Sequence, residues 1–163
     1  MTLDLANLLQ TAIQRRNQFN YENHVEISQE EGLRNEYVAL STSLAHLADL
    51  MGWYQLRQES RTVAPEELLQ AYLEVIEHSF QVAAKQTWSQ LIVMKPADLD
   101  KLAHKRPAKS LSQQYLSILH FVDQSFFDRQ QDAFRHAWHL ILKLGFVDLG
   151  FSGEQIQEAY LQN

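Results

Sequence analysis

No cysteine occurs among the 163 residues. Disulfides, thiolate nucleophiles and zinc–thiolate centres are therefore excluded. With only five glycines and three prolines, the chain lacks the punctuation of a turn-rich β architecture and favours long helices. Positive charge is in deficit: the formal net charge is −6, against the basic face that non-specific nucleic-acid or anionic-membrane binding requires. No apolar run approaches the roughly 18 residues of a membrane span, and the N-terminus carries no signal-peptide pattern. The expectation is a cytoplasmic protein with neither nucleic acid nor membrane as a partner. What remains is 45% hydrophobic and 21% charged, suited to one domain over 1–163 with a substantial core.

Helical periodicity runs through most of that length. Leu5, Leu8, Leu9, Ala12 and Ile13 make an apolar stripe over Leu3–Phe19. Ser28 followed by Glu31 is a capping-box signature. The helix it opens extends to about Trp53, with Val38, Leu40, Leu44, Leu47 and Met51 apolar and Gly52 as terminator. Gln55–Ala64 reads as polar connection. Pro65, with Glu66 and Glu67 behind it, suits the first turn of a third helix reaching Thr87. Trp88–Met94 is apolar and short, consistent with strand or helix. Lys95–Lys109 reads as a surface connection with one short helical turn. A fourth helix fits Ser112–Ser125 and a fifth fits Asp128–Leu144, ended by Gly145. Ser152 with Gln155 is a second capping box opening a last short helix. The fold expected is an all-α bundle of five to six helices.

Several segments carry a resemblance in order. Glu22-Asn23-His24 precedes the first capping box. Ala39-Leu40, Leu44, Leu47 and Ala48 align with the apolar positions of A-L-x-x-E-L-x-E-L-A, and Leu69–Ile76, LQAYLEVI, sits in the place of an L-x-E-Y-x-D-x-L helix. Leu144-Gly145-Phe146 and Gly150–Leu161 match L-G-F-S-x-x-x-I-x-x-A-Y-L. On these segments the chain resembles the dimeric, all-α dUTPase family, relatives of the MazG-type NTP pyrophosphatases; Val93–Lys109 lies outside the match. The resemblance implies a homodimer, a nucleotide ligand and magnesium held by two carboxylate pairs on facing helices. Hard oxygen donors neutralise the triphosphate through the metal and activate water.

Carried over by position, those pairs fall on Ser43 and His46, and on Ala71 and Glu74. Only Glu74 keeps a carboxylate. Serine is a weak neutral donor, alanine is none, and imidazole suits zinc better than magnesium. The family's Lys/Asn/Arg-rich run after A-Y-L is replaced by Gln162 and Asn163. A degenerate magnesium site is the expectation, in a protein impaired in catalysis and kept for nucleotide binding or protein interaction. The alternative is an active dUTP/dNTP diphosphatase with a divalent metal on a remodelled set, His46, Glu74, Glu77 and His78. A second register, pairing Glu74/Glu77 with Gln114/Ser117, stays open.

Other positions have bland and sharp readings. Trp53 and Tyr54 fall where the family has aromatics beside its nucleotide pocket, though a core or interface role weighs more. His136 and His139 share the spacing of a metal pair, without an acid partner in spacing. Lys101, His104, Lys105, Arg106 and Lys109 form a basic run suited to phosphate or a partner, with a solvated loop as the default.

Overall fold

The computed structural model describes residues 1–56 and 63–163. Among the described residues there are seven α-helices and no strand: α1 Leu5–Glu22, α2 Gln29–Met51, α3 Pro65–Gln86, α4 Pro96–Ala103, α5 Leu111–Phe127, α6 Gln131–Lys143 and α7 Gly153–Gln162. A 3-10 turn, Ser89–Leu91, follows α3, and a π turn, Leu144–Asp148, continues α6. Part of the connection read over Gln55–Ala64, residues 57–62, lies outside the described residues. No helix among the described residues is long and apolar enough to cross a membrane.

Local chemistry sets most helix ends. Ser28 Oγ accepts from Glu31 N at 3.1 Å, while Glu31 pairs with Arg34 rather than closing the box. Ser152 and Gln155 complete theirs in both directions. Gly52, in the left-handed region at φ 66°, closes α2 with its N–H on the Ala48 and Asp49 carbonyls. Arg15 guanidinium nitrogens donate to the Tyr160 and Leu161 carbonyls, both at 3.0 Å, placing positive charge on the α7 C-terminus.

α2 lies antiparallel along α3, and α5 along α6. The α2 N-terminal half meets the ends of both α3 and α5 through one relay. Gln86 Nε2 donates to Tyr37 Oη at 3.1 Å, Tyr37 to Ser125 Oγ at 3.0 Å, and Ser125 to the Val122 carbonyl at 2.7 Å. α1 and α7 cover α3, and α4 covers α6. The core is centred on Phe80, which tilts against Trp138 at 5.7 Å and meets Tyr160 edge-on at 5.6 Å.

The structure corrects three expectations. The bundle has seven helices rather than five to six, because the connection after Lys95 grows into α4. Pro96 starts it, Asp98 sits in its first turn, and Leu99 and Leu102 bury themselves. Gly145 does not end the fifth helix; it lies inside the π turn. There its missing side chain admits the Tyr72 ring, whose hydroxyl donates to the Ile141 carbonyl at 2.9 Å. A Cβ on Gly145 would meet that hydroxyl oxygen at 2.2 Å. Val38 faces outward, 65% exposed, while Leu40, Leu44 and Leu47 are buried.

Gly145→Ala is expected to lower unfolding free energy by about 1–3 kcal/mol in urea denaturation, through overpacking against the rigid Tyr72 ring. Gly32→Ala should instead raise it by roughly 0.5–1 kcal/mol, because its Cβ would find only ordinary contacts, Lys85 Nζ at 3.6 Å and Ile27 Cγ2 at 3.8 Å.

Candidate functional site

Helices α2 and α3 carry the positions where the family resemblance implies a metal site. Ser43 is buried, and its Oγ donates back to the Leu40 carbonyl at 2.8 Å. His46 is exposed and makes no hydrogen bond to the described residues. Ala71 is buried core. Glu74 is exposed and lines a concavity of about 340 Å³ with Arg15, Leu73, Glu77 and Tyr160. These positions supply one carboxylate, one back-bonded hydroxyl and one outward imidazole. That donor set does not fit a two-magnesium centre, which demands several hard oxygen ligands. Among the described residues, no three His, Asp or Glu side chains gather as a metal site would require.

Glu77 and His78 have other partners. Glu77 accepts from Gln81 Nε2 at 3.1 Å and from the Tyr160 hydroxyl, tying α3 to α7. Burial raises the Tyr160 pKa, and the Glu77 hydrogen bond and charge raise it further. Tyr160 therefore stays a donor. The Arg15 guanidinium also lies over its ring at 5.5 Å.

His78 turns instead to Glu36, two helical turns before Ser43 on the same face of α2. Glu36 is 5% exposed. One oxygen accepts from Arg16 of α1, and the other accepts from His78 Nδ1 of α3 at 3.3 Å. Burial alone would raise its pKa. The hydrogen bonds from His78 and Arg16, with their charges, outweigh burial and hold the carboxyl below its ordinary 4.5.

A second buried network sits at the π turn. Lys143 Nζ donates to Gln114 Oε1 at 2.8 Å and to Asp148 Oδ2 at 2.9 Å. Gln114 Nε2 reaches the same Asp148 oxygen at 2.8 Å, and Ala108 N donates to the other at 2.9 Å. Burial again works to raise the Asp148 pKa, but those hydrogen bonds and the lysine charge hold it below 3.8. Gln114, one position of the second register, thus serves this ion pair, and Ser117 donates within α5 to the Gln113 carbonyl at 2.9 Å.

The aromatic candidates are split. Trp53 is half-buried and tilts against Tyr115 at 5.8 Å, with its carbonyl accepting from Ser112 Oγ at 2.7 Å. Its indole N–H is buried and unpartnered among the described residues. Tyr54 is exposed, its hydroxyl on Asp49 at 2.8 Å. His136 stacks on Phe121 at 5.1 Å. His139 is half-buried, its pKa lowered by burial and then by Arg135 and Lys105.

Sequence reasoning missed Arg16, Glu36, Lys143 and Asp148. A signal was present: Glu36 continues the Leu40, Leu44, Leu47 stripe one turn upstream, Arg16 follows Ala12 by one turn, and Lys143 interrupts Leu142 and Leu144. A charge on an apolar stripe has to be paired. No protein-family model matches the chain, and no curated protein or solved structure matches it either.

Both buried carboxylates have folded pKa values below their unfolded ones. Their stabilisation is complete above pH 4.5, the ordinary value for Glu36, and is withdrawn as pH falls through the lowered values. Glu36→Gln should therefore flatten the acid limb of a stability–pH curve measured by urea unfolding. Lys143→Met is expected to cost about 3–5 kcal/mol by leaving Asp148 buried without its cation, and Lys143→Met with Asp148→Leu should recover much of that loss.

Proposed function

We propose that the chain is a divergent dUTPase-like protein whose magnesium site is dismantled, impaired in hydrolysis and retained to bind a nucleotide or a protein partner. The observation that carries this reading is the fate of polar groups on α2 and α3. The buried carboxylate there, Glu36, is saturated by Arg16 and His78, and Ser43, His46 and Ala71 offer no carboxylate at all. Glu74 alone provides no cage for a triphosphate's metal ions. The homodimer belongs to the same proposal through the family resemblance.

Pyrophosphate release from dUTP and the other dNTPs, assayed with Mg²⁺, Mn²⁺ or Zn²⁺, is expected to match the protein-free blank. Turnover that disappears in Glu74→Ala would overturn this reading in favour of the remodelled-site diphosphatase. A thermal shift by millimolar dUTP would select the nucleotide branch, since a ligand of the native state raises its stability; an unchanged Tm would select the protein branch. Sedimentation equilibrium should give twice the 19.0 kDa chain mass.

A further inference from the structure

Away from α2 and α3, an open cleft of about 520 Å³ lies between α4, α6 and the chain leading into α4. That volume is of the size that takes one small molecule. Lys95, Lys101, Lys105 and Arg135 line it, with Asp98 as the opposing carboxylate. This concentration of cations stands out in a chain of net charge −6. Lys101 pairs with Asp98 at 3.7 Å, and Arg135 with Asp132 at 3.0 Å. Lys95 and Lys105 form no ion pair with the described residues. Leu91, Val93, Met94 and Leu102 supply apolar lining beside the charges.

The walls are fixed. Trp138 Nε1, from the buried side of α6, donates to the Ile92 carbonyl at 3.1 Å and pins the strand of chain before Lys95. On the other wall, Lys105 N donates to the Leu102 carbonyl at 3.2 Å. Three residues on, Ala108 N is held by Asp148 at 2.9 Å. Arg135 and His139 project from successive turns of α6 between these walls. Lys95 and Lys105 stand here without a counter-ion among the described residues, so an anion entering gains from both, and Arg135, whose charge is shared with Asp132, adds a third cationic donor. His139 feels that field: Arg135 and Lys105 add to burial in disfavouring its protonation. The neutral ring can then donate one hydrogen bond and accept another.

We propose that this cleft binds a small organic phosphate, its phosphate held by Arg135, Lys105 and Lys95 and its apolar body lying on Leu91, Met94 and Leu102. The arginine fork matches phosphate oxygens in pairs, and the lysines add point charge.

The test is a titration of the whole chain with naphthyl phosphate, followed by its fluorescence, with inorganic phosphate as competitor. Saturable binding is expected, weakened at least about tenfold by either Lys105→Glu or Arg135→Glu and unchanged by Lys85→Glu, a reversal on α3 outside the cleft. Both cleft residues are exposed, so far-UV circular dichroism and Tm should stay at wild-type values. Inorganic phosphate should compete at least about fivefold more weakly, because it leaves the apolar lining uncovered. Absence of saturation would overturn the assignment, as would equal affinity in the cleft variants or an equal loss in Lys85→Glu. Inorganic phosphate binding as tightly as naphthyl phosphate would overturn the organic ligand.

Discussion

A carboxylate buried where three helices meet constrains everything around it. Moving Glu36 out of water costs several kcal/mol, and that cost is offset only while Arg16 of α1 and His78 of α3 both reach it. Each helix is therefore fixed in register against the other two. A slide of α1 by one turn would take the part-buried Arg16 away and leave the buried Glu36 carboxylate with His78 alone. The Lys143–Asp148–Gln114 network does the same for the opposite layer, locking α5 to α6 and clamping the chain at Ala108. Apolar packing supplies most of the stabilisation, but it is tolerant of small slips. The two charged networks are not, and they select one arrangement.

The same economy of partners shapes the functional reading. On α2 and α3, Ser43 bonds its own helix, Ala71 fills core, and Glu77 is shared by Gln81 and Tyr160. Polar groups here hold the bundle together instead of standing ready for an ion. In the α4–α6 cleft, Lys95 and Lys105 lack ion-pair partners among the described residues.

Much of the fold was legible in the sequence, because helix ends are written in local chemistry. Ser28, Gly52, Pro65 and Ser152 each sit at the boundary they announce, and the Leu40–Leu44–Leu47 stripe is buried as its period implies. Misreadings arose where distant residues decide. Gly145 looks like a stop, yet it is the gap into which Tyr72, far away in sequence, inserts its ring. α4 outgrew a single turn because Leu99 and Leu102 found core to cover. The candidate site was legible only as an absence of acids. Glu36 could be read as a charge on the α2 stripe that needs a partner, but that the partners are Arg16 of α1 and His78 of α3 is not written in any spacing within α2 or α3.

On the α2–α3 seam Glu36 and Glu77 are already hydrogen-bonded, and among the described residues no three His, Asp or Glu side chains gather as a metal site would require. Mn²⁺ titration followed by electron paramagnetic resonance tests for such a site most directly. The free-ion signal is expected to keep its full amplitude when stoichiometric protein is added at neutral pH. Loss of that signal in proportion to protein, restored by Glu74→Ala, would contradict it.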